Sequence, residues 1–152
     1  MNEKLSQRSE ELFMSGFFCA ESVLLAIAES QSIQSDLIPR IATGFCSGIS
    51  RTGGICGAVS GAIMGINLVA GRNSPTDSIE LSYTLSQELI SRFERQYGSV
   101  NCRQLINCDL ATDDGQRYFM ENNLMEHCLQ YAGEATSIAV LLISEVHNSR
   151  TT

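Results

Sequence analysis

The sequence predicts an all-α fold, a compact bundle of six to eight helices. Apolar residues recur at helical spacing along most of the chain. No run sustains the period-two alternation of a strand, and the β-branched residues fall inside the helical patterns. The organising stretch is Arg51 to Gly71, RTGGICGAVSGAIMGINLVAG. Its glycines Gly57, Gly61 and Gly65 recur every four residues and therefore share one face of a helix. Each interior glycine costs ~1 kcal/mol relative to alanine, and close approach of a neighbouring helix is what offsets such a stripe. This glycine-rich segment is expected to be the central helix.

The other elements follow in order. Leu5, Leu12 and Phe13 make residues 2–14 an amphipathic helix ending at Gly16. A second helix starts at Cys19 and carries Val23, Leu24, Ile27 and Ala28 inward; free N–H groups and the positive dipole end face the Cys19 sulfur. After a polar loop, a third helix is expected from about Leu37, with Pro39 in its first turn and Ile38, Ile41, Ala42 and Phe45 turned inward. A turn over residues 49–54 uses Gly53 and Gly54 for positive φ. The glycine-rich helix follows. Thr76 to Tyr97 is the longest clean helical pattern, capped by Thr76 or Asp77 and stopped by Gly98. A short helical turn carries Cys102 and Cys108. Residues 113–126 read as one helix burying Tyr118, Phe119, Leu124 and Met125, and the last helix runs from about Cys128 to His147. Residues 1–148 are expected to form one domain, with 149–152 a frayed tail.

A chain of 152 residues can bury a core without staples. The net charge of −7 and ten Lys and Arg argue against a nucleic-acid partner. The longest weakly polar run, Ile55 to Gly71, contains Asn67 and falls short of the ~20 apolar residues of a membrane span. The acidic N-terminal segment does not read as a secretory signal, so a cytoplasmic protein is expected. In that compartment the six cysteines are expected to be reduced rather than structural disulfides.

Those cysteines are Cys19, Cys46, Cys56, Cys102, Cys108 and Cys128. None are in C-x-x-C spacing, which removes the usual zinc-ribbon and thioredoxin signatures, and no C-x-x-C-H motif attaches a c-type haem. Cys19, Cys56 and Cys128 fall at expected helix starts, where a thiolate is favoured. The plainer reading of each is a small buried hydrophobe. Arg51 before the glycine turn can keep a thiolate charged, although a surface role is its commoner use. His127 beside Cys128 is the weakest candidate ligand, and no phosphate loop or nucleophile elbow is present.

CAESVL after an aromatic pair, GF before a glycine-containing turn, RTGGICGAVSGA, FERQYGSVNCRQL and the late Cys128 together resemble the redox-active protein family named for its C-GCAxxG-C-C signature. The resemblance implies that Cys19, Cys56, Cys102 and Cys128 are the four characteristic cysteines, with Cys46 and Cys108 as extras. The chain departs from the pattern at Phe45-Cys46-Ser47-Gly48, where the family is richer in glycine; an inward-facing Cys46 would add a thiol beside the motif. The family is similar to part of the split-Soret cytochromes, in which an iron–sulfur centre accompanies the haems.

Three functions follow. In the first, the four cysteines, with Cys46 as a further candidate, ligate an iron–sulfur cluster or another thiophilic metal; Arg51, Gly54 and Gly57, which flank Cys56, are the candidates to touch it. In the second, the same four act catalytically in thiol–disulfide pairs. In the third, the protein is a non-catalytic helical interaction module with buried cysteines. A redox function implies an electron donor or acceptor that the sequence does not identify, and the glycine stripe admits a homodimer.

Overall fold

The expected periodicities become eight helices in the computed structural model, which describes residues 1–152. In chain order they are α1 (Asn2–Met14), α2 (Cys19–Ser30), α3 (Cys46–Arg51), α4 (Gly57–Ala70), α5 (Glu80–Tyr97), α6 (Cys102–Ile106), α7 (Asp113–Glu121) and α8 (Met125–Arg150), with a 3-10 segment at Arg40–Phe45. The fold is all-α, as the sequence predicts. Its one extended feature is an isolated bridge between Ile55 and Asn101. No helix is long and apolar enough to cross a membrane.

The glycine stripe of α4 meets α2. A Cβ built at Gly61 would lie 2.5 Å from the Ala20 carbonyl oxygen, and one at Gly65 would lie 2.6 Å from Ile27 Cδ1. A Cβ at Gly57 would overlap the Cys19 sulfur. The stripe is thus filled by a helix of the same chain, which removes it as an argument for a homodimer. Around this contact the core collects Val23 and Ile27 of α2, Val59 and Ile66 of α4, Leu89 and Phe93 of α5, and Leu142 and Ile143 of α8, all at most 2% exposed. Each such side chain contributes ~1.5–3 kcal/mol on burial. The long helix α8 packs on α1, α2, α4 and α5, so the centre of the bundle is shared by α4 and α8 rather than held by α4 alone.

The polar Asn67, which interrupts the apolar α4 pattern, is paired. Its side-chain N–H₂ donates to the Ile63 carbonyl and its oxygen accepts from Ser82 of α5, which meets its hydrogen-bonding demand at the helix contact. On the surface, Arg8 and Glu29 tie α1 to α2 through two hydrogen bonds of 2.8 and 3.1 Å, but both side chains are 42% exposed, and such pairs add at most ~1 kcal/mol.

Four local expectations are corrected. The third helix does not form as an α-helix: residues 40–45 are 3-10, Ala42 is buried, and Leu37, Ile41 and Phe45 are exposed. Three residues per turn put successive side chains on different faces from those an α-helix would choose. Helix α5 begins at Glu80 rather than at Thr76, because the Asp77 carboxylate accepts the N–H groups of Asn73 and Ser74 and closes a loop there. The segment 113–126 breaks at Asn122–Leu124, with Asn123 at φ +51°, and Tyr118 is exposed. Cys128 therefore lies within α8, not at its start, and α8 continues past His147 to Arg150. Gly98 ends α5 in the left-handed conformation, as expected.

Gly61 and Gly98 separate two uses of glycine. Gly61→Ala gains ~1 kcal/mol of helix propensity but drives a methyl into the Ala20 backbone, and a net loss of ~2 kcal/mol is expected. Gly98→Ala, with open space around it, is expected to lose only the ~1 kcal/mol of a left-handed residue. Urea unfolding of the two variants beside the parent measures the difference.

Candidate thiol pocket

The chain between the 3-10 segment and α4 is wound the wrong way. Ser47, Gly48, Ile49, Ser50 and Arg51 all have φ between +55° and +69°, so α3 is largely a turn of left-handed helix. For the four non-glycine residues this costs ~1–2 kcal/mol each, and for the β-branched Ile49 it is a genuine outlier. Hydrogen bonds hold the turn: Ser50 Oγ donates to the Gly44 carbonyl at 2.8 Å, Thr52 Oγ1 to the Ile49 and Gly48 carbonyls, and Gly54 N–H to the Gly48 carbonyl at 2.9 Å. Only Gly53 of the expected glycine pair has positive φ. Strain of this kind persists where surrounding structure over-determines it, and it clusters at functional sites.

The turn delivers two cysteines to one place. Cys56 N–H donates to the Val100 carbonyl at 2.7 Å and Cys102 N–H to the Gly54 carbonyl at 2.8 Å, the two bonds on either side of the Ile55–Asn101 bridge. Gly48 packs directly on the Cys102 side chain, where a Cβ would overlap Cys102 Cβ. Cys56 is the N-cap of α4 and Cys102 the first residue of α6. Cys19 opens α2, where the Glu21 carboxylate accepts the Phe18 N–H at 2.9 Å and the Thr43 hydroxyl at 2.7 Å, binding the 3-10 segment to the helix start. Cys128 projects from the first turns of α8.

All four line a single pocket of about 210 Å³. Most of its wall is apolar, including Phe13, Phe18, Leu105, Phe119 and Tyr131, and Ser47, Arg51 and Gln116 are its polar side chains. Of the other expected residues, Gly57 lines the pocket, whereas Gly54 stands behind it as the backbone partner of Cys102 and Gly48. Cys46 is buried outside the pocket, among Ala20, Leu24 and Ala42, with its thiol 3.8 Å from the Ala42 carbonyl. Cys108 is half-buried against the main core. His127 is exposed and stacks on Tyr131, and Arg51 is exposed and makes no ion pair.

Tyr131 and Gln116 were not expected at the site. Tyr131 follows Cys128 by three residues on the same helix, so the two share a face, and that spacing is the signal that could have found it. Its hydroxyl donates to the Leu105 carbonyl at 3.1 Å, tying α8 to the end of α6. Gln116 has no comparable signal, since its side chain reaches the pocket only through the packing of α7; its amide donates to the Leu110 carbonyl.

Electrostatics divides the thiols into groups. Burial pushes the Cys56 thiol up to about 11 despite the α4 N–H groups of Ala58 and Val59, which favour its thiolate. Burial likewise pushes Cys102 up to about 11, and charge on Cys108 adds to it. Cys128 is pushed up to about 12, first by burial and then by charge on Cys56, Cys102 and Cys108. These four therefore form one electrostatic neighbourhood. Cys19 also packs against the cluster that contains Cys46, whose thiol is raised first by Cys19 and then by burial.

As a donor set, four thiols with no neighbouring carboxylate suit soft metals. No three His, Cys, Asp or Glu side chains lie close enough together to hold one metal ion. A tetrahedral zinc site, with Zn–S of ~2.3 Å, requires sulfurs only ~3.8 Å apart. A polynuclear iron–sulfur cluster puts its own sulfides between the irons and accepts thiolates set farther apart. As they stand, the four thiols share a pocket but are not gathered to the spacing of a single ion.

The fold and site define a helical protein built around one pocket of dispersed cysteines. Residues 17–142 match the family described as "Putative redox-active protein", with the signature C-GCAxxG-C-C, and the chain belongs to that family. It is also similar to an uncharacterised protein of Archaeoglobus fulgidus, 32% identical over 129 residues that cover 78% of this chain and 85% of the relative. No solved structure matches.

Because the Cys56 and Cys102 thiols titrate higher when folded than the ordinary value near 9, the folded metal-free protein holds their protons more tightly. That contribution to stability is full below pH 9 and is lost as pH rises through about 11. The urea midpoint of metal-free protein, followed from pH 8 upward under reducing conditions, is expected to fall across this window and to fall less steeply in Cys56→Ser.

Proposed function

We propose that the protein carries electrons at an iron–sulfur cluster ligated by Cys19, Cys56, Cys102 and Cys128. The observation that supports this most directly is the convergence of four cysteines, distant in sequence, on one apolar pocket. When bound, the cluster would supply one-electron storage. The chain's own residues would do the rest. The thiols bind, the α2 and α4 N-termini favour negative charge on Cys19 and Cys56, and Phe13, Leu105 and Phe119 exclude water. Arg51, exposed at the pocket and without an acidic partner, would offset negative charge and present a basic spot to an electron donor or acceptor. Free thiols in all six positions suit a reducing, cytoplasmic setting.

Thiol–disulfide exchange among the same four residues is less well supported. Such chemistry is started by a thiolate available near neutral pH, whereas Cys56, Cys102 and Cys128 are all held well above the ordinary thiol value. A bound cation reverses that balance, because metal ligation deprotonates a thiol outright.

Anaerobic purification followed by iron and sulfide analysis and a visible spectrum tests the assignment. Bound iron and sulfide are expected, mostly lost in Cys56→Ser and Cys102→Ser and retained in Cys108→Ser. A protein that stays colourless after reconstitution with iron and sulfide, with every thiol still titratable, would sink the cluster reading and leave the thiol-pair and interaction-module readings to be separated by redox titration.

A further inference from the structure

Cys46 is unused by the four-thiol pocket, yet it is not an isolated buried cysteine. Cys19 packs against the small cluster that contains Cys46, Ala20, Leu24 and Ala42, and against the main core as well. Gly57 fixes the geometry: its missing side chain would strike the Cys19 sulfur, the carbonyl oxygen of Phe45 at 3.0 Å and the Ala20 nitrogen at 3.2 Å. Phe45 precedes Cys46, so the start of α2 and the end of the 3-10 segment are pressed together over a bare glycine. The Cys46 thiol lies 3.8 Å from the Ala42 carbonyl, and Cys19 is the first cause of its upward shift. The two residues differ in access: Cys19 is half-buried and lines the pocket, while Cys46 is 5% exposed.

From this arrangement we infer that Cys19 and Cys46 form a reversible disulfide, with Cys19 as the residue that a peroxide reaches and Cys46 as the residue that resolves it. The Cys19 sulfur attacks one oxygen of hydrogen peroxide; the O–O bond breaks, a sulfenic acid forms on Cys19, and the Cys19 proton leaves with the other oxygen as water. The Cys46 sulfur then attacks the Cys19 sulfur, the S–O bond breaks, and the hydroxyl leaves with the Cys46 proton as a second water. Two thiols are oxidised by two electrons and one peroxide is reduced to two waters. An S–S bond is ~2.0 Å long, so the two sulfurs must close on one another, a local movement between the start of α2 and the end of the 3-10 segment that already pack together around Gly57.

The consequence for the pocket is direct. Cys19 is the one pocket thiol that also packs against the Cys46 cluster, and joining it to Cys46 withdraws it from the pocket. If the pocket holds a cluster, oxidation of this pair removes one of its four ligands; that consequence rests on the proposed function, whereas the disulfide itself does not. It also gives a role to the position where the chain departs from the glycine-richer family pattern: a cysteine there backs the first signature cysteine.

The test is a disulfide map of metal-free wild-type protein after stoichiometric hydrogen peroxide, which needs no variant to fold. The expected result is a predominant peptide joining Cys19 to Cys46, returned to free thiols by dithiothreitol. In Cys46→Ala that peptide is absent, and Cys19 is instead trapped as a sulfenic acid by dimedone or proceeds to the sulfinic acid. A Cys19 linked to Cys56, Cys102 or Cys128 in the wild type, or a Cys19 oxidised to the same product whether or not Cys46 is present, overturns the inference. Iron and sulfide uptake by the reduced and peroxide-treated proteins is measured separately. Absence of uptake by the reduced form counts against the cluster alone, because the disulfide map is read without metal.

Discussion

The contact on which the rest of the structure depends is the approach of α2 to α4 over Gly57, Gly61 and Gly65. With no Cβ on that face, the Ala20 carbonyl and the Ile27 side chain come within van der Waals contact of the α4 backbone. The close approach offsets the helix-propensity cost of three glycines with dispersion contacts and buried apolar area. It also places two helix N-termini side by side. Cys19 at the head of α2 and Cys56 at the head of α4 are brought to one pocket by the same geometry that packs the core, so packing and the candidate chemistry share a single constraint.

A second constraint is the left-handed turn at 47–51. An ordinary loop could connect the 3-10 segment to α4, and the strained turn does something more specific. It presents Gly48 to Cys102, aims Ser47 and Arg51 at the pocket, and lets the Gly54 backbone hold both Gly48 and Cys102. The hydroxyls of Ser50 and Thr52 satisfy carbonyls that a left-handed turn leaves open. Local conformational energy is thus set against hydrogen bonding and contact with Cys102, as expected where position matters more than local stability.

The thiols are distributed unevenly around the pocket. Cys56, Cys102 and Cys108 all act on Cys128, while Cys19 packs against the cluster that holds Cys46 outside the pocket. Apolar lining makes each thiolate costly without a counter-charge. Such a site keeps its buried thiols protonated at neutral pH.

By itself the sequence determined the fold class, the family, the glycine stripe and which four cysteines to watch. These are legible because helical periodicity and residue spacing are local properties of the chain. Asn67, which interrupts the apolar run, was equally readable as an obstacle to a membrane span. Only the tertiary structure decided that the stripe meets α2, that Cys46 backs Cys19 outside the pocket, and that Gly54 serves Cys102 through its backbone. Likewise Tyr131 and Gln116 enter the site through the packing of α8 and α7, and Ile41 and Phe45 turn outward because their segment is 3-10. These outcomes depend on which faces meet and on hydrogen bonds between residues far apart in the chain, and no local pattern encodes them.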